Sequence, residues 1–371
     1  MPDQQKTIGI LTFHTPVNYG AILQAYALQK YLKSEYPDAS IENIDFNTIE
    51  HQRKYRIFLP FRKNILKYAY YQFCILLRYS QLKERKKKFR AFLSEEFTLT
   101  KRFASVEDLV NNPPPETHYI VGSDQVFHPR SLYLKAYYLG FNKGSARKIA
   151  YAPSFGMSDF TQEVEQKTKA YLQDFDALSC RENDGAEFLS KVVGIGVQRV
   201  VDPIFLLSKQ EWREMAVEPV SKQKYIFIYD LNGGDNLIKI AQQIKSYTGY
   251  DIVCQTQTAH KAYDVDKQFY DLGPREFIGY MLNAEYVVTD SFHGIAFSIL
   301  FQKKQFAYIA RPKAASRIES VMSLINGEKR ILSESNSLTI SKEDILINYD
   351  TENLRMMIDE SKKYLNKSIS K

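Results

Sequence analysis

Short apolar runs alternate with stretches of helical spacing along most of the chain. Residues 7–13 (TIGILTF) predict a strand, residues 21–36 carry apolar side chains near helical spacing, and residues 41–46 (IENIDF) predict a second strand. A loop that contains Pro, Asn and Gly separates the first strand from the helix. This order predicts a β-α-β unit at the start of the chain.

The same alternation continues to the end of the chain. Further strands are predicted at residues 119–122, 148–151, 177–180, 225–230, 251–254, 285–289 and 305–309, and helices at about 162–175, 236–246, 275–284, 295–301 and 351–366. Short strands that alternate with helices favour parallel sheets. We therefore expect an α/β protein whose second half repeats the architecture of the first.

The length of 371 residues exceeds what a single hydrophobic core usually supports, so we expect two domains. The first is predicted at residues 1–207 and the second at 208–345, with the polar stretch 208–224 as the boundary. The last helix lies in residues 346–371, and we expect it to pack back toward the first domain.

The composition, with 44% apolar and 25% charged residues, is typical of a soluble globular protein. The cysteines Cys74, Cys180 and Cys254 form no CxxC pair and have no histidine at metal-ligand spacing, so we expect neither a disulfide framework nor a metal site. Residues 1–6 are polar and lack the apolar stretch of a signal peptide. We expect a cytoplasmic protein.

The net charge of +7 comes from one segment, residues 51–90, which contains 13 Lys and Arg against the single acid Glu84. We interpret the surrounding region, about 51–112, as a basic helical insert in the first domain. Its apolar and aromatic middle, residues 65–79, is shorter than the roughly 20 residues that span a bilayer. Contact with an anionic membrane surface is one hypothesis, and a solvated helical pair packed on the first domain is the other. No nucleic-acid-binding motif accompanies the charge, so we expect no nucleic-acid partner.

Polar turns follow several of the predicted strands. Because the carboxyl ends of parallel strands meet at one edge of a sheet, we expect these turns to line a ligand site. The candidate residues are Asn18, Tyr19, Gly20, Ser123, Asp124, Arg181, Glu182, Ser291 and His293.

Each candidate also has a structural explanation. Asn18 and Asp124 are typical helix-cap or turn residues, and Arg181 with Glu182 could be an ordinary surface ion pair. His293 stands between a strongly apolar strand and Gly294, where a general acid or base is wanted, although a lone histidine is often structural.

Six short segments stand in order between about residues 8 and 320. They are residues 18–28 (NYGAILQAYAL), 122–126 (GSDQV), 151–156 (YAPSFG), 179–182 (SCRE), 201–203 (VDP) and 289–294 (TDSFHG). In these segments the chain resembles the polysaccharide pyruvyl transferase family, and the basic insert lies outside the resemblance. The resemblance implies a fold like the GT-B glycosyltransferases, with two Rossmann-like domains facing across a cleft. It also implies phosphoenolpyruvate as donor substrate, a sugar as acceptor and no cofactor.

One position departs from the family pattern. Many members have an arginine two residues before the histidine, where this chain has Ser291. Arg317 is the candidate to replace that cation, with Lys313 and Arg311 as substitutes. The acceptor is expected to be galactose-type, either free or lipid-linked, which would place the enzyme at the inner face of a membrane.

The resemblance assigns roles to the candidates. Arg181 and Arg317 would grip the phosphate and carboxylate of the donor, since guanidinium groups suit such anions. His293 would act as acid or base with Asp124 as the second such group. Ser123, Ser291, Lys313, Asn18, Tyr19 and Gly20 would complete the substrate site.

Two rival functions use the same architecture. One is a glycosyltransferase that takes a sugar nucleotide, because a fold alone does not fix the donor. The other is a catalytically silent scaffold in a polysaccharide assembly complex, which predicts that changes at Arg181 and His293 are tolerated.

Overall fold

A computed structural model describes residues 5–15, 17–54, 56–58, 60, 64–172, 174–220, 222–232, 234–310, 315–334, 338–346 and 350–370. The chain folds as two compact units. Unit 1 comprises Met1–Lys54, Glu96–Leu207 and Thr351–Lys371, and unit 2 comprises Tyr55–Glu95 and Ser208–Asp350.

The core of unit 1 is a parallel sheet in the order β2-β1-β3-β4, formed by β1 (Thr7–Leu11), β2 (Ser40–Asn43), β3 (His118–Val121) and β4 (Arg147–Ala150). A parallel pair, β5 (Ser179–Cys180) and β6 (Gln198–Arg199), extends it through a bridge between Ile149 and Ala177. All four residues of β3 are buried, as expected for a central strand.

Helices cover the sheet of unit 1. They are α1 (Tyr19–Glu35), α2 (Ile49–Lys54), α5 (Val106–Asn111), α6 (Leu134–Tyr137), α7 (Gln162–Leu172), α8 (Asn183–Val193) and α14 (Glu352–Ser370). The last helix, α14, packs on this unit through side chains that reach the sheet. Tyr364 donates from its hydroxyl to the Ala150 carbonyl at 2.9 Å, and the His118 ring lies 3.2 Å from the Ile369 carbonyl.

The core of unit 2 is a parallel sheet in the order β12-β11-β10-β7-β8-β9. Its strands are β7 (Tyr225–Asp230), β8 (Asp251–Thr256), β9 (Lys267–Phe269), β10 (Tyr286–Thr289), β11 (Lys304–Ile309) and β12 (Ile331–Ser333). Its helices are α3 (Ile65–Leu77), α4 (Tyr79–Glu96), α9 (Lys209–Met215), α10 (Asp235–Thr248), α11 (Pro274–Asn283), α12 (Phe292–Leu300) and α13 (Ala315–Met322).

The predicted fold class of two Rossmann-like α/β domains is confirmed, because each unit is built on a parallel sheet with connecting helices. Most strand boundaries agree with the prediction within two residues. One difference matters for the site: α12 begins at Phe292 and not at residue 295, so His293 lies in the first turn of this helix. The side chain of Ser291 caps the helix and moves its start forward.

The position of the basic insert differs from the sequence-based assignment. Residues Tyr55–Glu95 belong to unit 2, whereas the prediction placed the insert in the first domain. The reason is a set of contacts from α4, in which Arg85 donates to the Thr256 carbonyl at 3.3 Å and Lys88 pairs with Glu276 at 2.8 Å. Charged side chains that the sequence alone suggests are solvent-exposed therefore attach α4 to unit 2.

The predicted boundary at residues 208–224 also contains a structured element. Helix α9 starts at Ser208, whose side chain forms a reciprocal capping box with Glu211. Trp212 is fully buried in this helix, 5.0 Å from the Phe297 ring. The start of this stretch therefore contributes buried side chains of α9 to the core of unit 2.

A close approach between α11 and the segment that follows α9 fixes the residue at Gly279. A Cβ atom added there would lie 1.9 Å from the carbonyl oxygen of Val217. Because that neighbour is backbone, Gly279→Ala should lower the free energy of unfolding by about 1–3 kcal/mol or more, as measured by urea denaturation. The matched control is Gly196→Ala, where an added Cβ meets nothing within 4 Å. Equal urea midpoints for the two variants would contradict the packing argument.

Candidate functional site

The strand order reverses once in each sheet. In unit 1 the chain moves outward from β1 to β2 on one side and from β3 to β4 on the other. In unit 2 it moves from β7 to β8 and β9 on one side and from β10 to β11 and β12 on the other. Loops that leave the two central strands of such a sheet diverge, which opens a crevice at their carboxyl ends. These two points lie after β1 and β3 in unit 1 and after β7 and β10 in unit 2.

In unit 1 the turn after β3 is tied to the loop after β1. Thr12 donates from its hydroxyl to the carbonyl of Ser123 at 2.7 Å, and Gln24 donates in turn to the Thr12 hydroxyl at 3.0 Å. All three side chains are buried. The ends of β1 and β3 are therefore held together by hydrogen bonds that start from α1.

Arg181 donates a hydrogen bond to the same turn. Its guanidinium donates from Nη1 to Asp202 Oδ2 at 2.8 Å and to Ser123 Oγ at 3.2 Å, and from Nε to Glu182 Oε1 at 2.8 Å. Ser123 also donates to Asp202 at 2.9 Å. The Arg181 side chain is only 3% exposed, so the alternative of a surface ion pair is wrong.

The electrostatics of this cluster keep Arg181 charged. Burial by itself lowers the pKa of the Arg181 guanidinium. The carboxylates of Glu182 and Asp202, followed by that of Asp124, outweigh burial and raise its pKa. Two of these carboxylates accept hydrogen bonds from Nε and Nη1 of a guanidinium that is buried. Direct binding of an anionic donor, by contrast, requires exposed N–H groups. The geometry of Arg181 fits a residue that positions the turn.

Asp124 has a strained backbone at the end of this turn. Its φ of +70° with ψ of −175° is a combination that side-chain-bearing residues rarely adopt and that costs of order 1–3 kcal/mol. The strain is held by hydrogen bonds, since its carbonyl accepts from Ser154 N at 2.8 Å and its carboxylate from Gln125 N at 2.9 Å. The Asp124 side chain is partly exposed. Strain of this kind concentrates at functional sites.

Asn18, Tyr19 and Gly20 form the start of α1. The Asn18 side chain accepts from Ala21 N at 3.3 Å, so this residue caps the helix. Tyr19 is fully buried and Gly20 is buried beside it. The Tyr19 side chain packs in the core of unit 1, and the capping explanation of Asn18 is the one seen in the structure.

In unit 2 the corresponding point is organised by Asp290. Its carboxylate accepts from Leu231 N at 2.9 Å, from Asn232 N at 3.1 Å and from the Asn232 side-chain amide. Asp290 thus joins the end of β10 to the loop after β7. Burial raises the pKa of Asp290, and the hydrogen bonds from the loop partly oppose this shift.

Ser291 and His293 follow Asp290 directly. Ser291 accepts from Gly294 N at 3.4 Å and caps α12, and its exposure is only 4%. His293 is also buried at 8% exposure in the first helical turn. Gly294 lets the helix pack closely on β10, because a Cβ there would lie 2.6 Å from Thr289 Oγ1. The imidazole of His293 is therefore placed by a capped and tightly packed helix start.

A second buried carboxylate lies on the neighbouring strand β7. Asp230 is fully buried and accepts from the Thr256 hydroxyl at 2.7 Å and the Tyr263 hydroxyl at 2.8 Å. Burial and the charge of Asp230 raise the pKa of Tyr263. These hydrogen bonds link the carboxyl ends of β7 and β8.

The remaining candidates are Arg317, Lys313 and Arg311. Arg317 lies on α13, is partly buried, and belongs to a helix that contacts α12. Lys313 and Arg311 lie outside the described residues. Of the predicted site residues, the structure joins Ser123, Asp124 and Arg181 in unit 1 and Ser291 with His293 in unit 2.

Sequence reasoning missed three residues on which these turns depend: Thr12, Asp202 and Asp290. Asp202 and Asp290 stand inside the quoted segments VDP and TDSFHG, so a signal was present in the sequence. Their partners are 79 and 59 residues away in the chain, namely Ser123 and Leu231, and no local pattern reveals such pairs. Within the ranges that the structure describes, no group of three or more His, Cys, Asp or Glu could hold a metal ion.

Comparison with known proteins gives one family. The chain matches the family model described as Polysaccharide pyruvyl transferase over residues 18–310, which includes the turns of both units. No curated protein matches the chain.

Solved structures resemble the chain at low sequence identity. MnaA of S. aureus, determined with UDP, has a TM-score of 0.49 at 10% identity, covering 99% of this chain and 91% of that one. UDP-GlcNAc 2-epimerase from Methanocaldococcus jannaschii has a TM-score of 0.48 at 12% identity, covering 96% and 93%. The glycosyltransferase SsfS6 of Streptomyces sp. SF2575 has a TM-score of 0.47 at 8% identity, covering 97% and 96%.

The buried cluster around Arg181 gives a stability prediction. Arg181→Ala leaves Asp202 and Glu182 as buried carboxylates without their cation, which should lower the free energy of unfolding by about 3–5 kcal/mol in urea denaturation. The control is Lys191→Ala, which removes an ion pair with Glu165 whose lysine is 69% exposed and should cost about 0–1 kcal/mol. Similar losses in the two variants would contradict the structural role of Arg181.

Proposed function

The chain belongs to the polysaccharide pyruvyl transferase family, and from this premise we propose that it transfers pyruvate from phosphoenolpyruvate to two hydroxyls of one sugar. The product is a pyruvate ketal, and phosphate is released. The family implies a transferase with a saccharide acceptor. The identity of the donor and a galactose-type acceptor are part of the proposal.

The observation that supports this proposal is the location of the family's polar segments. GSDQV begins the turn after β3 and TDSFHG contains the turn after β10, and both are central strands at which the strand order reverses. Ligands of open α/β sheets bind at such points. A catalytically silent scaffold would have no need for the strained Asp124 or the buried turn at His293.

The reaction balances without a cofactor. One sugar hydroxyl adds to C2 of phosphoenolpyruvate while C3 gains a proton and becomes a methyl group. The bond between C2 and the phosphate oxygen then breaks, and the second hydroxyl adds to C2. The two hydroxyl protons are accounted for by the one on C3 and the one on the departing phosphate. The enzyme must therefore move two protons and stabilise a donor that carries both a phosphate and a carboxylate.

We assign the proton transfers to His293 and Asp124. His293 would take the proton of an attacking hydroxyl, and its imidazole is held by the start of α12 between Ser291 and Gly294. Asp124 is the second acid or base, and its strained backbone orients a partly exposed carboxylate at the end of β3. A positioned acid or base typically contributes 10²- to 10⁴-fold to the rate.

We assign the donor's charges to Arg317 and Lys313, since Ser291 cannot supply the cation that many family members have at its position. Arg181 acts through the turn, because its guanidinium is held by Asp202 and Glu182. This replaces the expected role of Arg181 as a direct donor ligand. Ser123 and Asn18 likewise act by fixing the turns, through the hydrogen bonds that they make.

The catalytic role of His293 can be tested with purified protein, phosphoenolpyruvate and a galactoside. We expect release of phosphate together with a gain of pyruvyl mass on the acceptor. His293→Asn should lower kcat by about 10²- to 10⁴-fold, because the acid or base is lost. The control is His260→Ala, which changes a histidine in a loop after β8 and should leave kcat unchanged. Full turnover by His293→Asn at saturating substrate would contradict the assignment.

Donor identity separates the proposal from a sugar-nucleotide glycosyltransferase. A ligand that binds only the folded protein raises the melting temperature, by an amount that grows with its concentration over its Kd. We expect phosphoenolpyruvate to stabilise the protein and UDP-, GDP- and CMP-sugars to leave it unchanged in a thermal-shift measurement. Stabilisation by a sugar nucleotide alone would favour the glycosyltransferase.

A further inference from the structure

Helix α3 presents an apolar face to solvent. Its large exposed side chains range from 54% exposure for Tyr70 to 81% for Leu66, and they are Ile65, Leu66, Tyr70, Phe73, Leu76 and Leu77. Isolated exposed apolar residues are ordinary on protein surfaces, but a contiguous group of this size marks an interaction site. Helix α3 therefore carries a surface whose function the proposed reaction does not explain.

The exposed apolar residues of α3 all lie on one side of the helix. At about 100° per residue, the exposed apolar positions from Ile65 to Leu77 fall within roughly 140° of the circumference, and Ala69 completes the set. No polar side chain interrupts this arc. We call these seven residues, Ile65, Leu66, Ala69, Tyr70, Phe73, Leu76 and Leu77, the apolar face of α3.

The opposite side of α3 packs on unit 2. Cys74 and Ile75 are buried, Ile75 joining Leu82 and Tyr270 in a small apolar cluster. Tyr71 stacks on the His260 ring at 4.0 Å. The helix is thus fixed in orientation, and its apolar face points away from its own unit.

The α3–α4 pair attaches to unit 2 at the carboxyl edge of the sheet. Arg85 donates to the carbonyl of Thr256, the last residue of β8, and Arg78 lies 4.5 Å from the ring of Tyr270, directly after β9. Lys88 pairs with Glu276 in the first turn of α11. This is the edge that carries Asp290 and His293. The apolar face therefore belongs to the same edge of unit 2 as its candidate site.

The charge around the apolar face is strongly positive. Residues 51–90 contain 13 basic residues and the single acid Glu84. Lys67 on α3 and Lys83, Lys87 and Arg90 on α4 are exposed. An apolar and aromatic face flanked by basic residues is complementary to anionic lipid headgroups over acyl chains. A second copy of the chain would bring two such positive segments together, which charge repulsion disfavours.

The length of α3 limits how it can meet a membrane. At 13 residues it is shorter than the roughly 20 that span a bilayer. Among the helices that the structure describes, none has the length and apolar character needed to cross a membrane. A helix of this kind lies in the plane of the interface with its apolar face buried.

We infer that the apolar face of α3 inserts into the surface of an anionic membrane and that the acceptor is a saccharide attached to a lipid in that membrane. The second part rests on the proposed pyruvyl transfer. The attachment of α3 and α4 at the carboxyl edge brings the side of unit 2 that carries His293 toward the lipid surface. Recognition of the membrane is by its anionic headgroups and acyl chains.

Flotation of the full chain with vesicles tests the surface. The wild type should float with phosphatidylcholine vesicles that contain phosphatidylglycerol, and less so at high salt because the charges are then screened. Leu66→Ser/Phe73→Ser/Leu77→Ser should lower the partition coefficient more than about tenfold, since three apolar side chains no longer insert. Lys83→Ser/Lys87→Ser should lower it on anionic vesicles alone. Arg85 and Lys88 are left intact because they attach α4 to unit 2.

The matched control changes exposed apolar residues outside α3. Leu132→Ser/Val220→Ser replaces side chains that are 81% and 98% exposed and should float like the wild type. Equal flotation of the α3 variant and the wild type would overturn the inference. Absence of flotation by the wild type would also overturn it, and a dimer in light scattering that the α3 variant no longer forms would assign the apolar face of α3 to a second copy of the chain.

Activity assays separate the lipid-linked acceptor from the reaction itself. The α3 variant should keep wild-type transfer to a soluble saccharide and lose at least about tenfold on the same saccharide attached to a lipid in vesicles, in proportion to its lost binding. The lipid-linked acceptor would be overturned if the α3 variant lost the same transfer activity on both acceptors, or if it lost activity on neither. Absence of transfer by the wild type on both acceptors contradicts the proposed reaction, whereas flotation of that same protein would still support the membrane surface.

Discussion

The reversal of strand order in each parallel sheet is the constraint on which the rest of the molecule depends. In unit 1 it falls between β1 and β3, and in unit 2 between β7 and β10. Loops from two adjacent central strands must diverge there, because their following helices cover opposite faces of the sheet. The diverging loops expose backbone ends that need hydrogen-bond partners. Asp290 in unit 2 and the Ser123 turn in unit 1 meet this requirement.

The two units hold the turns after their central strands with different chemical groups. Unit 1 uses a buried cation, Arg181, between Asp202 and Glu182, and the turn that it supports holds Asp124 at a positive φ. Buried ion pairs add little net stability, since desolvation offsets most of the attraction. Unit 2 uses a buried carboxylate, Asp290, which holds the loop after β7 by three hydrogen bonds. Both arrangements fix a turn more than they stabilise a fold, which suits a site that must keep its geometry.

Part of this organisation could be read from the chain and part could not. The central strands are apolar runs such as YIFIYD, whose pattern needs no distant partner to be recognised, and β7 begins and ends where predicted. The sequence does not predict the short strands β6, β9 and β12, because their residues become strands only by pairing with β5, β8 and β11. Helix α12 starts earlier than predicted because the Ser291 cap stabilises its first turn. For the same reason, the buried position of His293 followed only from the structure.

Local hydrophobic pattern and short segments of the chain were sufficient to predict the parallel α/β class, the alternation of strands and helices, and the family. It also identified the basic, apolar segment around residues 51–90. The folded chain shows three further facts: this segment attaches to unit 2, carboxylates surround Arg181, and the apolar residues of α3 share one exposed face. Those facts depend on contacts between residues far apart in the chain, and on which side of a helix is left uncovered.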